Sequence, residues 1–246
     1  MPHIPHIAAF HIPDFPAVAL RYARGCCEDV IVVHRSMVVA ATAGARAHGV
    51  SEGDSSQRAE RLAPDAHILL REHGTEQGVW EEVLHSIYGT TPHMIEESAG
   101  TVLLHVQDVA MIRRMAEQFA ACVGIAASRT TAQVASYFCQ AGSLLFVDDD
   151  EAQKFLRQAS VSCLSWWGAE EEWLEKMMLF GLRSLKSAGD ISERQMVAQF
   201  GKGGRIMHQC IRDILSDERR PLPLYEPPPL LRAASLGPAA RSTLTR

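Results

Sequence analysis

The chain has 246 residues, 47% hydrophobic and 22% charged, with a net charge of −5 and a pI of about 6.1. That length is enough for two or more lobes around a sizeable core. The acidic balance argues against a protein held to nucleic acid by charge alone, which needs clustered Lys and Arg.

In chain order, the apolar run Ile7–Ile12 reads as a buried strand ended by Pro13, and Pro16–Arg24 as a helix with proline at its start. The β-branched runs at Val30–Val33 and Met37–Ala40 are two strands. Thr42–His48 is a small-residue helix closed by Gly49, Ser55–Leu62 a helix stopped by Pro64, and His67–Leu70 a short strand. Thr75–Tyr88 carries Val79, Val83, Leu84 and Ile87 at helical spacing. Strands follow at Thr101–Val106, Val123–Ala126 and Leu144–Val147, with helices at Val109–Cys122 and Thr130–Cys139 between them. Asp148–Glu151 is an acidic turn leading into a helix. From about Cys163 the pattern turns helical, with Leu174–Leu179, Ser192–Phe200 and Arg205–Leu215 joined through FGKGG. Four prolines between Pro223 and Pro229 describe an extended linker. This order predicts an α+β (mixed α/β) fold, a sheet-and-helix part followed by an all-α part.

The six cysteines, Cys26, Cys27, Cys122, Cys139, Cys163 and Cys210, contain no CxxC pair. With no basic-plus-apolar leader in MPHIPHIAAF, they read as reduced thiols of a cytoplasmic protein. No run approaches the ~20 apolar residues of a membrane span, so no membrane contact is expected. His3, His6 and His11 match no common ligand spacing. From Gly201 to Arg246 there are eight Lys+Arg against four Asp+Glu, a local polyanion contact or a solvated tail.

Four segments, in order, resemble the Y-family translesion DNA polymerases, and among them the ImuB-like branch. FHIPDFPAVALR at Phe10–Arg21 resembles the strand ending in a DMDAFFA-like run, with His11 at the position of the metal-binding Asp. A shift of one residue puts Pro13 there instead. VVAATAGARAHGVSEG at Val38–Gly53 is similar to the fingers segment that grips the incoming triphosphate; Arg46 is present, and Ala43 stands in place of the Tyr. TPHMIEESAGTVLLHVQD sets Gly100 and Thr101 against the catalytic Asp-Glu pair. A rival register places Glu96 and Glu97 there, but it shifts Pro92 and the following strand by four residues and leaves the acids in a turn. GIAASRTTAQVAS at Gly124–Ser136 resembles GIAPNKFLAKIAS, with Arg129 and Gln133 replacing two lysines.

The resemblance implies a palm (1–20 and 77–162), fingers (21–76), a helical thumb (163–222) and a Pro-rich tail (223–246) with no little finger. Two-metal phosphoryl transfer needs carboxylates converging on two cations, and neither Gly100 nor Thr101 supplies one. His11 is a poor Mg²⁺ ligand. The expectation is therefore a catalytically inactive relative, with no cofactor, acting as an accessory or scaffold in damage-induced DNA synthesis. The alternatives are an active polymerase using Mg²⁺, or a truncated remnant. Candidate contacts to nucleotide or DNA are Arg46, Arg129, Lys202, Gly203 and Arg205; the glycines would let backbone N–H groups approach phosphate. The resemblance implies DNA, a RecA-like companion, an error-prone replicative-type polymerase and the sliding clamp as partners. Nothing like a clamp motif stands in Leu230–Arg246, which counts against the last.

Overall fold

The computed structural model describes residues 6–226. In chain order the elements are β1 (Ile7–His11), α1 (Phe15–Arg24), β2 (Val30–His34), β3 (Met37–Ala41), α2 (Ala43–Ala47), α3 (Ser56–Leu62), β4 (His67–Leu70), α4 (His73–Tyr88), β5 (Met94–Ser98) and β6 (Thr101–His105). Then come α5 (Val109–Phe119), β7 (Cys122–Ala126), α6 (Arg129–Phe138), β8 (Ser143–Phe146), α7 (Ala152–Gln158), a 3-10 helix over Val161–Trp167, α8 (Glu171–Leu179), α9 (Leu185–Gly189) and α10 (Glu193–Ser216). The expected α+β class holds.

One sheet has the order β5-β6-β1-β7-β8, with β5 antiparallel to β6 and β7 parallel to β8. The second has the order β3-β2-β4. Its central strand explains its own composition. Ile31 and Val33 pack with Ala45, Val50 and Ala59 from α2, α3 and their connection, whereas Val30 and Val32 pack with Ala17 and Leu20 of α1. A strand buried on both faces needs a continuous β-branched run rather than an alternating one.

By contacts the chain divides into two units. Of the described residues, 6–10 and 122–221 form one; 11–121 and 222–226 form the other. The first holds an all-helical core in which Leu156, Leu164, Leu174, Met177, Met196 and Ile211 are buried together. Trp167 and Trp173 pack against this core. Among the described residues no helix is long and apolar enough to cross a membrane.

Several boundaries differ from the sequence expectation. Strand β5 was not foreseen: Glu96 and Glu97 lie on it rather than in a turn. Helix α5 stops three residues early because Ala120 adopts a left-handed conformation (φ 49) and releases Cys122 into β7. The two helices expected on either side of FGKGG are one merged element, α10, broken at Gly201 alone (φ 64, ψ −148). The expectations for His3 and for 227–246 lie outside the described residues.

Helix α6 lies close against β7 at Gly124, where a Cβ would lie 2.0 Å from the Ala132 carbonyl oxygen and 2.3 Å from the Ser136 nitrogen. Both obstacles are backbone, so neither can turn aside. Gly124→Ala is expected to destabilise the fold by about 3 kcal/mol, the upper end of the overpacking range, read as a lower urea midpoint.

Candidate functional site

Strand β1 ends at His11, and β6 begins at Thr101. The His11 Nδ1 and Thr101 Oγ1 lie 2.9 Å apart in a hydrogen bond. The Ile12 N–H donates to the Gly100 carbonyl at 2.8 Å. His11, Gly100 and Thr101 are thus brought to one place. Thr101 is buried and His11 half-buried. Burial pushes the His11 pKa below its ordinary value, with the Asp14 carboxylate pulling the other way.

Gly100 is a glycine for two reasons. Its φ is +88, and a Cβ there would stand 2.8 Å from the Phe15 Cβ and 3.3 Å from the Ile12 carbonyl oxygen. Phe15 is itself fixed, packed edge-on against Trp80 with ring centroids 5.5 Å apart. The indole N–H of Trp80 donates to Glu96 Oε1 at 2.6 Å. The phenol of Tyr225 approaches the other oxygen of Glu96 at 3.5 Å. Glu96, the acid of the rival register, therefore serves as a hydrogen-bond acceptor.

Beside His11 is a residue that the sequence reading passed over. Asp14 precedes α1 in a left-handed conformation (φ 50, ψ 41), and its side chain does not cap the helix. Instead it binds Arg46: Arg46 Nε donates to Oδ2 at 2.5 Å, and Nη2 donates to Oδ1. The Ala41 N–H also points at Oδ1, at 3.4 Å. The hydrogen bonds from Arg46 to Asp14 raise the guanidinium pKa further. An Asp just ahead of Phe-Pro reads locally as an ordinary N-cap, and nothing in the sequence pairs it with position 46.

Arg46 belongs to one unit; Arg129, Lys202, Gly203 and Arg205 belong to the other. Arg129 opens α6 and donates through Nη2 to the Pro221 carbonyl. At that helix start, Ser128 and Thr131 both donate to Asp217 Oδ1. The expectation of a glycine loop at Lys202–Arg205 is corrected, because the segment is helical. Gly203 is needed for packing: a Cβ there would overlap the Trp173 ring at 1.5 Å. Arg205 Nε donates to Glu193 at 2.7 Å, while Lys202 is exposed.

No family model matches the chain. Among curated proteins it is similar to a "DNA polymerase IV" of Desulfatibacillum aliphaticivorans, 26% identical over 209 residues, or 79% of this chain and 51% of that one. It is also similar to the protein of that name in Bacteroides fragilis, 27% identical over 195 residues, or 73% and 53%. The chain spans about half the length of these relatives. Its fold is that of the crystal structure of DinB from Sulfolobus solfataricus, with a TM-score of 0.74 at 14% identity, covering 89% of this chain and 69% of that one. The insertion ternary complex of Dbh DNA polymerase has a TM-score of 0.72, also at 14% identity.

These findings correct two expectations. The relatives carry an enzyme's name, so the reading of the chain as a non-enzyme does not stand. The expectation of no cofactor falls with it, because the resemblance implies Mg²⁺ for a working polymerase. The described donors at this place nevertheless do not fit that ion. His11 and Thr101 offer one imidazole nitrogen and one hydroxyl, bonded to each other, and the Asp14 carboxylate is taken by Arg46. Magnesium takes oxygen ligands in near-octahedral array, which this set does not offer.

Two outcomes follow from this geometry. Gly100→Asp is expected to destabilise the protein by ~1–3 kcal/mol through the left-handed backbone and the Phe15 contact, seen as a lower melting temperature. His11 binds its proton less readily folded than unfolded. Below the ordinary histidine value near 6.5 the unfolded chain therefore takes up more protons, and stability falls as pH drops. His11→Asn is expected to flatten that part of the profile in urea titrations between about pH 8 and pH 5.

Proposed function

Because the chain is a member of the Y-family DNA polymerase superfamily, we propose that it acts on primer–template DNA in translesion synthesis. The observation that carries this reading is the pairing of curated DNA polymerase IV relatives with a shared fold over most of the chain. The parts take the palm, fingers and thumb roles over the ranges given above. In that arrangement Arg46 meets the triphosphate of the incoming nucleotide, and Arg129, Lys202 and Arg205 meet DNA phosphates, which position a duplex without reading its sequence.

Within this role the finer reading is an accessory one, in which the chain holds DNA for a companion polymerase. The donor set around His11 favours it. A RecA-like companion and an error-prone replicative-type polymerase are the partners that an ImuB-like place in the superfamily would bring.

Fluorescence anisotropy of a labelled primer–template, measured against salt, tests the reading. Affinity is expected to fall steeply with salt. Lys202→Ala is expected to weaken binding uniformly across sequences and to lower the salt slope by about 1. Absence of binding at low salt would sink the DNA-handling role.

A further inference from the structure

We propose that Asp14 is an internal competitor for phosphate at Arg46, and that a nucleoside triphosphate enters this cradle by displacing the Asp14 carboxylate. The inference rests on the reading of Arg46 given above and adds its regulation.

Three donors converge on the spot: Nε and Nη2 of Arg46, and the Ala41 N–H. A planar fork flanked by a backbone amide suits any anion with two oxygens in a plane, and carboxylate and phosphate are bound by the same bidentate geometry. In this structure the occupant is the chain's own carboxylate.

The Asp14 carbonyl accepts from the Ala17 and Val18 amides at the helix start, but its carboxylate makes no bond to the helix. It sits at the N-cap position of α1, where Asp is among the preferred residues because its oxygen caps the helix amides. It makes no such cap, and it adopts a left-handed conformation uncommon for a residue with a side chain. The contact with Arg46 and Ala41 is what keeps the carboxylate in place, so an anion that takes those donors removes its reason to stay. The cradle is also reachable, since the Arg46 side chain keeps 35% of its surface exposed while Asp14 keeps 18%. Two other charged or titratable groups bear on the pair. Glu52 acts on Arg46, and His11 feels the Asp14 carboxylate, and neither takes the donors of the fork.

The test is binding of dATP, without divalent metal or DNA, to the full chain by calorimetry. Asp14→Asn removes the competing charge and is expected to bind about tenfold more tightly than wild type, one step of ~1.4 kcal/mol. Arg46→Ala is expected to lose binding. Far-UV circular dichroism checks that both variants fold. If Asp14→Asn fails to fold, wild type carries the test alone. Its Arg46 side-chain Nε–H resonance is expected to shift as inorganic triphosphate is added, and an unmoved resonance overturns the proposal. Asp14→Asn binding no tighter than wild type, with Arg46→Ala losing binding, overturns the competitor while leaving Arg46 as the nucleotide contact. Arg46→Ala binding as wild type does overturns the Arg46 reading itself, and the proposal with it.

Discussion

The carboxylate of Asp14 joins three pieces of backbone that the sequence keeps far apart: the start of α1, the end of β3 at Ala41, and α2 at Arg46. The pair is largely shielded on the Asp14 side. With its Arg46 side open to solvent, the pair adds little to stability. Such a contact fixes geometry more than it adds stability. Here it fixes where the small three-stranded sheet meets α1, whose Ala17 and Leu20 pack against Val30 and Val32 of β2.

The same loop, from His11 to Phe15, sets what can stand opposite it on β6. Ile12 is tied to Gly100 through the backbone, and Phe15 fills the volume that a side chain at position 100 would need. Glycine at 100 and phenylalanine at 15 are therefore one packing decision. The imidazole of His11 and the hydroxyl of Thr101 satisfy each other across the strand ends. A side chain at position 100 would meet Phe15.

Strands with a buried face were legible in the sequence, because burial leaves a β-branched signature: β2, β3 and β7 lie where apolar runs placed them. Strand β5 was not, because it is an edge strand whose Glu96, Glu97 and Ser98 are exposed, and polar residues on an edge look like a turn. Helix α10 was read as two because FGKGG carries helix-ending glycines. One of those glycines does break the helix, at Gly201, but Gly203 makes room for Trp173, and composition cannot tell a break from a packing contact. Asp14 was missed for a related reason. A capping residue that forgoes its cap is visible only once its distant partner is in place.

The stretch Leu222–Tyr225 shows how far one contact reaches through a unit. Leu222 is buried, Leu224 bridges His93, and the Tyr225 N–H donates to the Pro92 carbonyl at 2.8 Å, so the chain lies along the outer side of the residues leading into β5. Proline suits this place because it cannot donate to a ladder, and here Pro223 is exposed on an outer edge. Covering an edge is how a sheet avoids offering unpaired backbone to other chains. Tyr225 then approaches Glu96, Glu96 accepts from Trp80, Trp80 packs on Phe15, and Phe15 closes position 100. The composition of the residues around His11 is in this sense set as much by what packs behind the β5–β6 hairpin as by the chemistry in front of it.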